Sequence, residues 1–325
     1  MKLLVTGGCG FIGSNFVKYY LQKHPSDEIV NLDKLTYAGR LENLKEIEGN
    51  PNYSFIRGDI CNREVVKKAI QDCEAVINFA AESHVDRSIA DATQFIKTDV
   101  LGAFNILEEA RKQELKKSLM ISTDEIYGHV LEGSFKETST LKPRNPYSAS
   151  KAGADLLAQS FFATYGMNVV VTRSSNNFGP YQFPEKVIPL FVTNLLQGKK
   201  VPLYGDGTNV RDWLYVLDNC EAIDLCLQKG KAGEVYNIGG GNELQNIELT
   251  KLVLKELSKG EEMIERVKDR PGHDLRYSLD CSKIEKELGW KPKHDFKKAL
   301  HETILWYKQN EWWWKPLLRE AVVKR

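Results

Sequence analysis

The chain has 325 residues, 42% hydrophobic and 27% charged, which is typical of a soluble globular protein with a sizeable core. Its formal net charge of +1 gives no electrostatic reason to expect nucleic acid or an anionic membrane as a partner. No apolar run approaches membrane-spanning length, and the chain runs from Met1 into a short strand without the apolar core of a signal peptide. These features predict a cytoplasmic protein.

The six cysteines are scattered and form no C-x-x-C pair. In a chain of this size they are expected to be reduced thiols rather than a disulfide framework. The six histidines have no H-E-x-x-H or similar spacing, so we expect no metal site.

Strand and helix patterns alternate through the first half of the chain. The predicted strands are KLLVT, EIVNLD, SFIRGD, AVINFAA, SLMIST and NVVVTRSS. The clearest helical patterns between them are TQFIKTDVLGAFNILEEARKQ and PYSASKAGADLLAQSFFATYG. This alternation predicts an α/β fold, with a Rossmann-type doubly wound parallel sheet covered by helices on both faces.

A glycine-rich turn follows the first predicted strand and precedes the first helix. It contains Gly7, Gly8, Gly10 and Gly13 and satisfies both G-x-G-x-x-G and G-x-x-G-x-x-G. Glycine is needed there for a tight turn, for close approach of the backbone to a pyrophosphate, and for packing of the helix on the strand. The helix N-terminus offers N–H groups and a partial positive charge to phosphates. A purely structural turn is the alternative.

Asp33 ends the second predicted strand, 20 residues after Gly13. A carboxylate at this position can accept hydrogen bonds from the ribose hydroxyls of NAD and would repel the 2′-phosphate of NADP. The neighbouring Lys34 could screen that repulsion. The pattern favours NAD as the cofactor.

Asp124 and Glu125 stand side by side after the predicted strand SLMIST, in the stretch STDEIYG. Adjacent residues of a strand point to opposite faces, so both acids can reach one ligand only if the chain leaves the strand between Thr123 and Tyr127. Active sites of open α/β sheets lie at such strand ends. A solvated turn is the alternative.

Tyr147 and Lys151 lie four residues apart in NPYSASKAGAD, on one face of a helix that Pro146 can begin. A tyrosine with its ordinary pKa of about 10 is a poor base. A nearby ammonium group, helped by a positive nicotinamide ring, would lower the pKa of Tyr147 and favour its phenolate. The alternative is a tyrosine packed over a lysine stem on a helix surface.

Prolines and glycines become frequent after Pro180, which predicts a second, smaller lobe that is rich in loops. The strand pattern in GEVYNIGGG predicts that a segment near 212–240 returns to the first sheet. We therefore expect an NAD-binding domain at 1–180, interleaved with a mainly substrate-binding lobe at 181–325. Trp312, Trp313 and Trp314 are expected to cap this lobe by packing, and the basic tail is expected to fray.

The glycine loop, the Tyr-x-x-x-Lys pair and the chain length resemble the extended short-chain dehydrogenase/reductase superfamily. Its close members act on nucleotide sugars as 4-epimerases, decarboxylases or 4,6-dehydratases. TDEIYG is similar to the T-D-E-V-Y-G of dTDP-glucose 4,6-dehydratases, and epimerases usually lack the acid pair. The similarity extends over nearly the whole chain, including TRSSNNFGPYQFPEKVIPL and DRPGHDLRY.

The resemblance also implies which residues bind the ligands. Together with Gly7, Gly10, Gly13, Tyr147 and Lys151, the positions implied for NAD are Phe11, Ile12, Asp33, Lys34, Leu35, Thr36, Asp59, Ile60, Ala80, Ala81, Thr98 and Asn177. Those implied for the sugar nucleotide are Ser83, Thr123, Asn176, Lys186, Pro202, Leu203, Tyr204, Arg211, Asn246, Arg270 and His273. Arginines are suited to bind a diphosphate. Surface ion pairs of Arg211 with Asp212 and of Arg270 with Asp269 are the alternative.

The resemblance implies NAD-dependent conversion of dTDP-glucose to its 4-keto-6-deoxy form. The catalytic residues would be Thr123, Asp124, Glu125, Tyr147 and Lys151. It also implies a homodimer built from the helices after Thr93 and Tyr147. A UDP-glucose 4,6-dehydratase, an epimerase, a decarboxylase and a non-catalytic NAD-binding scaffold are the alternatives, and the residues do not decide between thymidine and uridine.

Overall fold

The structure is a computed structural model that describes residues 1–269 and 272–323. Its strands are β1 (Lys2–Thr6), β2 (Glu28–Asp33), β3 (Tyr53–Arg57), β4 (Ala75–Asn78), β5 (Lys117–Thr123), β6 (Val169–Ser174), β7 (Asn176–Phe178), β8 (Val201–Tyr204), β9 (Val210–Tyr215), β10 (Val235–Ile238), β11 (Glu243–Gln245) and β12 (Ile264–Val267). Its α-helices are α1 (Phe11–Lys23), α2 (Arg63–Ala69), α3 (Val85–Ala90), α4 (Thr93–Phe95), α5 (Ala103–Lys112), α6 (Pro146–Tyr165), α7 (Val187–Leu196), α8 (Val216–Lys229), α9 (Asn246–Glu256), α10 (Ser282–Leu288), α11 (Phe296–Gln309) and α12 (Glu311–Val323). A π-helical segment spans Ile96–Gly102, and 3₁₀ turns span Leu41–Ile47, Asp124–Tyr127 and Glu261–Met263. The predicted substrate residue Arg270 and the end of the basic tail, 324–325, lie outside the described residues.

The largest sheet of the described residues has seven parallel strands in the order β10-β6-β5-β4-β1-β2-β3. The side chains of β1 alternate between the two faces of this sheet: Leu3 and Val5 belong to one buried apolar cluster and Leu4 to the other. A sheet that is apolar on both faces must be covered by helices on both faces. The prediction of a doubly wound parallel sheet is therefore confirmed.

The strand order changes direction next to β1, because β2 lies on one side of it and β4 on the other. Open α/β sheets bind ligands outside the carboxyl ends of the strands at such a switch point. We therefore expect a ligand site at the carboxyl ends of β1 and β4, where the glycine-rich turn and Phe79–Ala81 come together.

The helix predicted for TQFIKTDVLGAFNILEEARKQ is interrupted. Its first half is the short α4 followed by the π-helical segment, and regular α-helix begins only at Ala103. Packing accounts for part of this path, because a Cβ at Gly102 would lie 2.4 Å from the Ile60 side chain. A π-helical turn shifts the residues that face inward, and it places Asp99 in a buried position. Within residues 1–269 and 272–323, every helix is too short or too polar to cross a lipid bilayer.

Two smaller sheets are built mainly from the chain after Pro180, together with β7, which precedes it. β9 pairs with β7 and β11, and β8 pairs with β12. β10 instead joins the edge of the large sheet, with Val235 beside Val171 of β6. The boundary of the two lobes at residue 180 stays a prediction.

The three consecutive tryptophans have different environments. Trp313 and Trp314 are buried, whereas Trp312 is 55% exposed. Trp314 donates its indole N–H to the Tyr307 carbonyl at 2.7 Å, within the C-terminal helices. Trp313 donates to Oδ1 of Asn43 at 2.7 Å, a residue of the first half of the chain. The expectation that all three cap the second lobe is therefore wrong for Trp312 and incomplete for Trp313.

Candidate active site

A cavity of about 300 Å³ opens at the carboxyl ends of β1 to β6. Its walls contain every predicted catalytic residue and every predicted NAD residue except Leu35. They also contain four of the predicted substrate residues, namely Ser83, Thr123, Asn176 and Lys186. The structure therefore brings together segments that are up to about half the chain apart, and it places the acid pair beside Tyr147 and Lys151.

The glycine-rich turn has the shape of a dinucleotide cradle. Gly7 has a φ of +71°, which favours glycine, and a Cβ there would lie 2.5 Å from the backbone N of Ala80. A Cβ at Gly13 would lie 2.4 Å from the Gly7 carbonyl oxygen. Gly10 begins α1 in an extended conformation with no side chain over the helix N-terminus. The N–H groups of Gly7, Gly8, Cys9 and Gly10 are bonded within the protein, so it is the uncapped start of α1 that can face a diphosphate. The residues present fit NAD.

Asp33 ends β2 at the cavity wall and also braces the glycine-rich turn. Its Oδ2 accepts the N–H of Cys9 at 2.9 Å, and its Oδ1 accepts the N–H of Leu35 at 2.8 Å. Burial raises the pKa of this carboxyl, and the two N–H groups oppose that rise. Each oxygen retains a lone pair that can accept a ribose hydroxyl. Leu35 lies beside the cavity rather than in its wall.

Lys34 could have screened the repulsion between Asp33 and a 2′-phosphate. In the structure its ammonium group lies 2.6 Å from Oδ2 of Asp59, which also lines the cavity. The lysine charge is therefore balanced by a second carboxylate, and the site remains unfavourable for the phosphate of NADP.

The acid pair lies where the chain leaves β5. The strand ends at Thr123, and Asp124–Tyr127 forms a 3₁₀ turn that Thr123 caps by accepting the N–H of Glu125 at 3.3 Å. The expected departure from the strand is thus confirmed, and it brings both acids to one cavity. Gly128 completes the turn at a φ of +81°, where a Cβ would lie 2.5 Å from the Lys142 carbonyl oxygen.

The two acids differ in their surroundings. Asp124 is buried, its Oδ1 accepts the Thr123 hydroxyl at 3.1 Å, and its Oδ2 has no protein partner. Burial and the charge of Glu125 raise the pKa of Asp124 well above its ordinary range. Glu125 is less buried, and its Oε2 lies 3.5 Å from Nδ2 of Asn145, the residue that caps α6. A buried carboxyl with a raised pKa therefore stands beside a second, less buried carboxyl, an arrangement suited to a paired acid and base.

Tyr147 and Lys151 are held on α6 by a strong N-terminal cap. The side chain of Asn145 accepts the N–H of Ser148 at 2.8 Å, and Pro146 occupies the first turn. Lys151 is buried and donates to the Ile121 carbonyl at 2.6 Å. Burial lowers the pKa of Lys151, and the charges of Asp99 and Asp155 oppose this.

The pKa of Tyr147 differs from the sequence-based expectation. Burial of the phenol and the negative charges of Glu125 and Asp99 raise it well above its ordinary value, and only a hydrogen bond with Thr123 opposes them. The expectation that Lys151 lowers this pKa is not met in this structure, where its ammonium group is turned to the Ile121 carbonyl. The sequence analysis predicted the acid pair but not Asp99, nor the effect of these carboxylates on the pKa of Tyr147.

Asp99 is a site residue that the sequence argument missed. It is buried on the π-helical segment, where Oδ2 accepts the Ser150 hydroxyl at 2.6 Å and Oδ1 accepts the N–H of Glu82 at 2.8 Å. Burial raises its pKa to about 6, and the charge of Lys151 opposes the rise. An aspartate inside an otherwise apolar helical pattern was the available signal.

Polar residues of the cavity wall were also missed, among them Glu82, Gln182 and Glu185. Burial raises the pKa of Glu82, and Oε1 of Gln182 has no protein partner. Glu185 accepts the Tyr37 hydroxyl at 2.7 Å and Nη2 of Arg87 at 3.1 Å. Glu82 and Glu185 directly precede the predicted residues Ser83 and Lys186, so adjacency could have identified them.

Arg211 lies behind the acid pair rather than in the cavity wall. Its guanidinium group is buried, donates to the Asp274 carbonyl at 2.9 Å and lies 4.2 Å from the centre of the Tyr277 ring. Its charge lowers the pKa of Asp124, opposing the effect of burial. The alternative of a surface ion pair with Asp212 is wrong, since Asp212 is buried and accepts backbone N–H groups of Gly240 and Asn242.

The other predicted substrate residues among those described also lie outside the cavity wall: Pro202, Leu203, Tyr204, Asn246 and His273. Leu203 is buried in the core of the second lobe, which leaves only its backbone for a ligand. Oδ1 of Asn246 is buried without a protein partner. His273 lies 2.6 Å from Oδ1 of Asp269 and edge-on to the Tyr204 ring.

Comparison with known proteins agrees with this geometry. The sequence model of the family described as GDP-mannose 4,6 dehydratase matches residues 4–303. A dTDP-glucose 4,6-dehydratase of Streptomyces niveus is 50% identical over 321 residues, which are 98% of this chain and 96% of that protein. DesIV of Streptomyces venezuelae, a dTDP-glucose 4,6-dehydratase solved with NAD bound, superposes with a TM-score of 0.96 at 50% identity and covers 98% of this chain and 100% of its own.

An epimerase is a more distant match. The UDP-glucose 4-epimerase of Thermotoga maritima has a TM-score of 0.89 at 30% identity, and the match covers 96% of this chain and 100% of that one. The fold is thus common to both activities, whereas the higher sequence identity lies with the dehydratases. By its sequence, its sheet and the acid pair in its cavity, the chain belongs to the dTDP-glucose 4,6-dehydratases of the extended short-chain dehydrogenase/reductase superfamily.

Proposed function

We propose that this chain converts dTDP-glucose to dTDP-4-keto-6-deoxyglucose with NAD as its cofactor, as a homodimer in the cytoplasm. The observation that carries the proposal is the position of Asp124 and Glu125 in the same cavity as Tyr147 and Lys151. Oxidation at one carbon needs only the tyrosine and the lysine. Loss of water across two neighbouring carbons also needs an acid and a base side by side.

NAD, when bound at the glycine-rich turn, supplies the acceptor and then the donor of the hydrogen that moves from C4 to C6. Tyr147 takes the proton of the C4 hydroxyl, which the Thr123 hydroxyl orients. Lys151, whose positive charge Asp99 and Asp155 support, offsets the negative charge that develops on Tyr147. The positive charge of Lys151 thereby stabilises the phenolate form of Tyr147, which the charges of Glu125 and Asp99 disfavour.

Elimination of water is assigned to the acid pair. The ketone at C4 acidifies the C5 proton, and Glu125 accepts it. Asp124 donates its proton to the C6 hydroxyl, which leaves as water. The raised pKa of Asp124 suits this role, because the carboxyl must hold a proton at neutral pH until the step occurs. As the hydride reaches C6, Glu125 returns a proton to C5. The proton that Tyr147 took from the C4 hydroxyl balances the one that Asp124 gave to the leaving water, so the cofactor and the enzyme are unchanged overall.

Each of the two lobes is assigned one of the two ligands. We assign the NAD-binding role to the domain at 1–180 and the nucleotide sugar mainly to the lobe at 181–325. Oδ1 of Asn176, Oε1 of Gln182 and Oδ2 of Asp124 are cavity-wall atoms without a protein partner, as expected of groups that bind a polar ligand.

Isotopic labelling tests the proposal. Substrate with deuterium at C4 should give product with that deuterium in its C6 methyl group, because the hydrogen never leaves the enzyme. In heavy water, unlabelled substrate should acquire deuterium at C5, where Glu125 exchanges the proton. NMR of the product from dTDP-glucose and from UDP-glucose reads both positions and the base preference. Label that stays at C4, or that leaves with free cofactor, would exclude the dehydratase reaction.

Homodimer formation is supported by an exposed apolar surface on two neighbouring segments. Ile96 and Leu101 of the π-helical segment are 52% and 46% exposed, and Leu156 of α6 is 55% exposed. The segments pack closely, since a Cβ at Gly153 would lie 3.2 Å from the Val100 side chain. Such a surface is typical of an interface between helices.

Light scattering should therefore give twice the chain mass of 37.0 kDa for the wild type. Leu156→Glu should shift the protein towards monomer, because it places a charge in the interface. The matched control is Lys112→Glu on α5, outside this apolar surface. A wild-type protein of single-chain mass at micromolar concentration would contradict the homodimer.

A further inference from the structure

Trp313 is buried far from the reacting groups, and no residue of α11 or α12 lines the cavity in the described part of the chain. Its indole nevertheless contacts two segments that do reach the cavity. On one side its N–H donates to Asn43, and on the other its ring lies edge-on to Tyr181 at 5.8 Å. The mechanism above uses neither contact.

The contact with Asn43 continues to the glycine-rich turn. Asn43 is buried, and its Nδ2 donates to the carbonyl of Cys9 at 2.9 Å. Cys9 lies between Gly8 and Gly10, and the same carbonyl accepts the backbone N–H of Arg40 at 2.9 Å. Two donors therefore hold the middle of the turn, one of them a side chain that could rotate.

Trp313 and the Cys9 carbonyl together fix the direction of that side chain, one at each end of the amide. An indole N–H can only donate, so it must face the oxygen of the Asn43 amide. With Oδ1 directed at Trp313, the amide NH₂ is directed at Cys9. Without the indole N–H, the buried Oδ1 loses its donor, and the amide is held only by the hydrogen bond from its Nδ2 to the Cys9 carbonyl.

We propose that Trp313 is a positioning residue for NAD, which acts through Asn43 to hold the Cys9 carbonyl and the glycine-rich turn in the conformation that receives the diphosphate. The proposal rests on the NAD-dependent function proposed above. It assigns the hydrogen bond of the indole to cofactor retention and the packing of its ring to stability.

Trp313→Phe separates these two roles. Phenylalanine keeps an aromatic ring against Tyr181 and Trp306 but removes the N–H. The rate at which NAD leaves the purified holoenzyme on dilution should rise about tenfold, the effect of roughly 1.4 kcal/mol. Added NAD should restore most of the turnover. The matched control is Trp312→Phe at the exposed neighbour, whose indole bonds only to Asn310, and it should release NAD at the wild-type rate.

A second variant shows whether the effect passes through Asn43. Asn43→Leu keeps the branching of the side chain at Cγ and removes both hydrogen bonds, so it should also speed NAD release. Adding Trp313→Phe to Asn43→Leu should change the release rate less than twofold, because the pathway is already broken. Asn43→Leu alone decides the matter if Trp313→Phe does not fold.

Three outcomes would overturn the inference. Trp313→Phe or Asn43→Leu could lower the melting temperature while NAD release stays at the wild-type rate. The two effects could multiply in the double variant, which would mean that they act independently. A wild-type protein that binds no NAD would overturn both this inference and the proposed function, whereas the first two outcomes leave the function intact.

Discussion

Tyr147→Phe should lower turnover by roughly 10²–10⁴-fold, the usual contribution of a general base. Removal of the proton from the C4 hydroxyl precedes every later step, and Tyr147 is the group assigned to take it. The ring of phenylalanine keeps the edge-on contact with Phe95, so α6 should retain its position. NAD should still bind, because the glycine-rich turn and Asp33 are unchanged.

The pH dependence of the same variant provides a second measurement. The pKa of Tyr147 is raised, so the tyrosine holds its proton at neutral pH and wild-type turnover should increase as the pH rises. The increase should end where Lys151, whose pKa is lowered, gives up its own proton. The residual activity of Tyr147→Phe should lack the rise with pH.

Tyr165→Phe is the matched control, at an exposed tyrosine of the same helix. It should keep wild-type turnover and the wild-type pH profile. If Tyr147→Phe retains more than about a tenth of the activity, the base for C4 is another group.

Glu125→Gln should stop the reaction after the first oxidation. Glutamine can still accept the weak hydrogen bond of Asn145, but it cannot take the C5 proton. Product formation should fall by roughly 10²–10⁴-fold. Tyr147 and Lys151 are unchanged, so the ultraviolet absorbance of reduced nicotinamide should rise on mixing with substrate and then persist.

Two comparisons make this prediction specific. Glu132→Gln, at an exposed residue of the following loop, should form product at the wild-type rate without a lasting absorbance change. Wild-type product formation by Glu125→Gln would assign C5 deprotonation to another residue. Loss of product without any absorbance rise would mean that Glu125 is already needed for the C4 step.

The predicted strands agree with the structure to within a few residues because most of them are buried parallel strands with apolar runs, although the edge strand β3 is partly exposed. KLLVT corresponds to Lys2–Thr6 and EIVNLD to Glu28–Asp33. The helix PYSASKAGADLLAQSFFATYG was equally predictable from the sequence, since Asn145 and Pro146 cap its start and Gly166 ends it with a φ of +64°. The interruption of the helix around Asp99 was not predicted, because the path of the π-helical segment depends in part on the packing of Gly102 against Ile60.

The candidate site was predictable where its residues lie close together along the chain. The glycine-rich turn, the acid pair and the Tyr147–Lys151 pair are each set by spacings of a few residues, and all three line the cavity. Residues implied only by resemblance had mixed outcomes. Ser83, Asn176 and Lys186 line the cavity, whereas Leu203 is buried in the second lobe.

The sequence by itself determined the local features of this protein: its strands, the dinucleotide turn, and the presence of an acid pair where a strand ends. These depend on backbone conformation and on the alternation of apolar residues, which neighbouring residues control. Only the tertiary structure decided the pKa values of the site residues and the hydrogen bonds that reach the glycine-rich turn from distant parts of the chain. The pKa of Tyr147 depends on Asp99 and Glu125, and the glycine-rich turn depends on Trp313 through Asn43. Burial and contacts between residues up to 270 positions apart produce these effects, and no spacing along the chain encodes them.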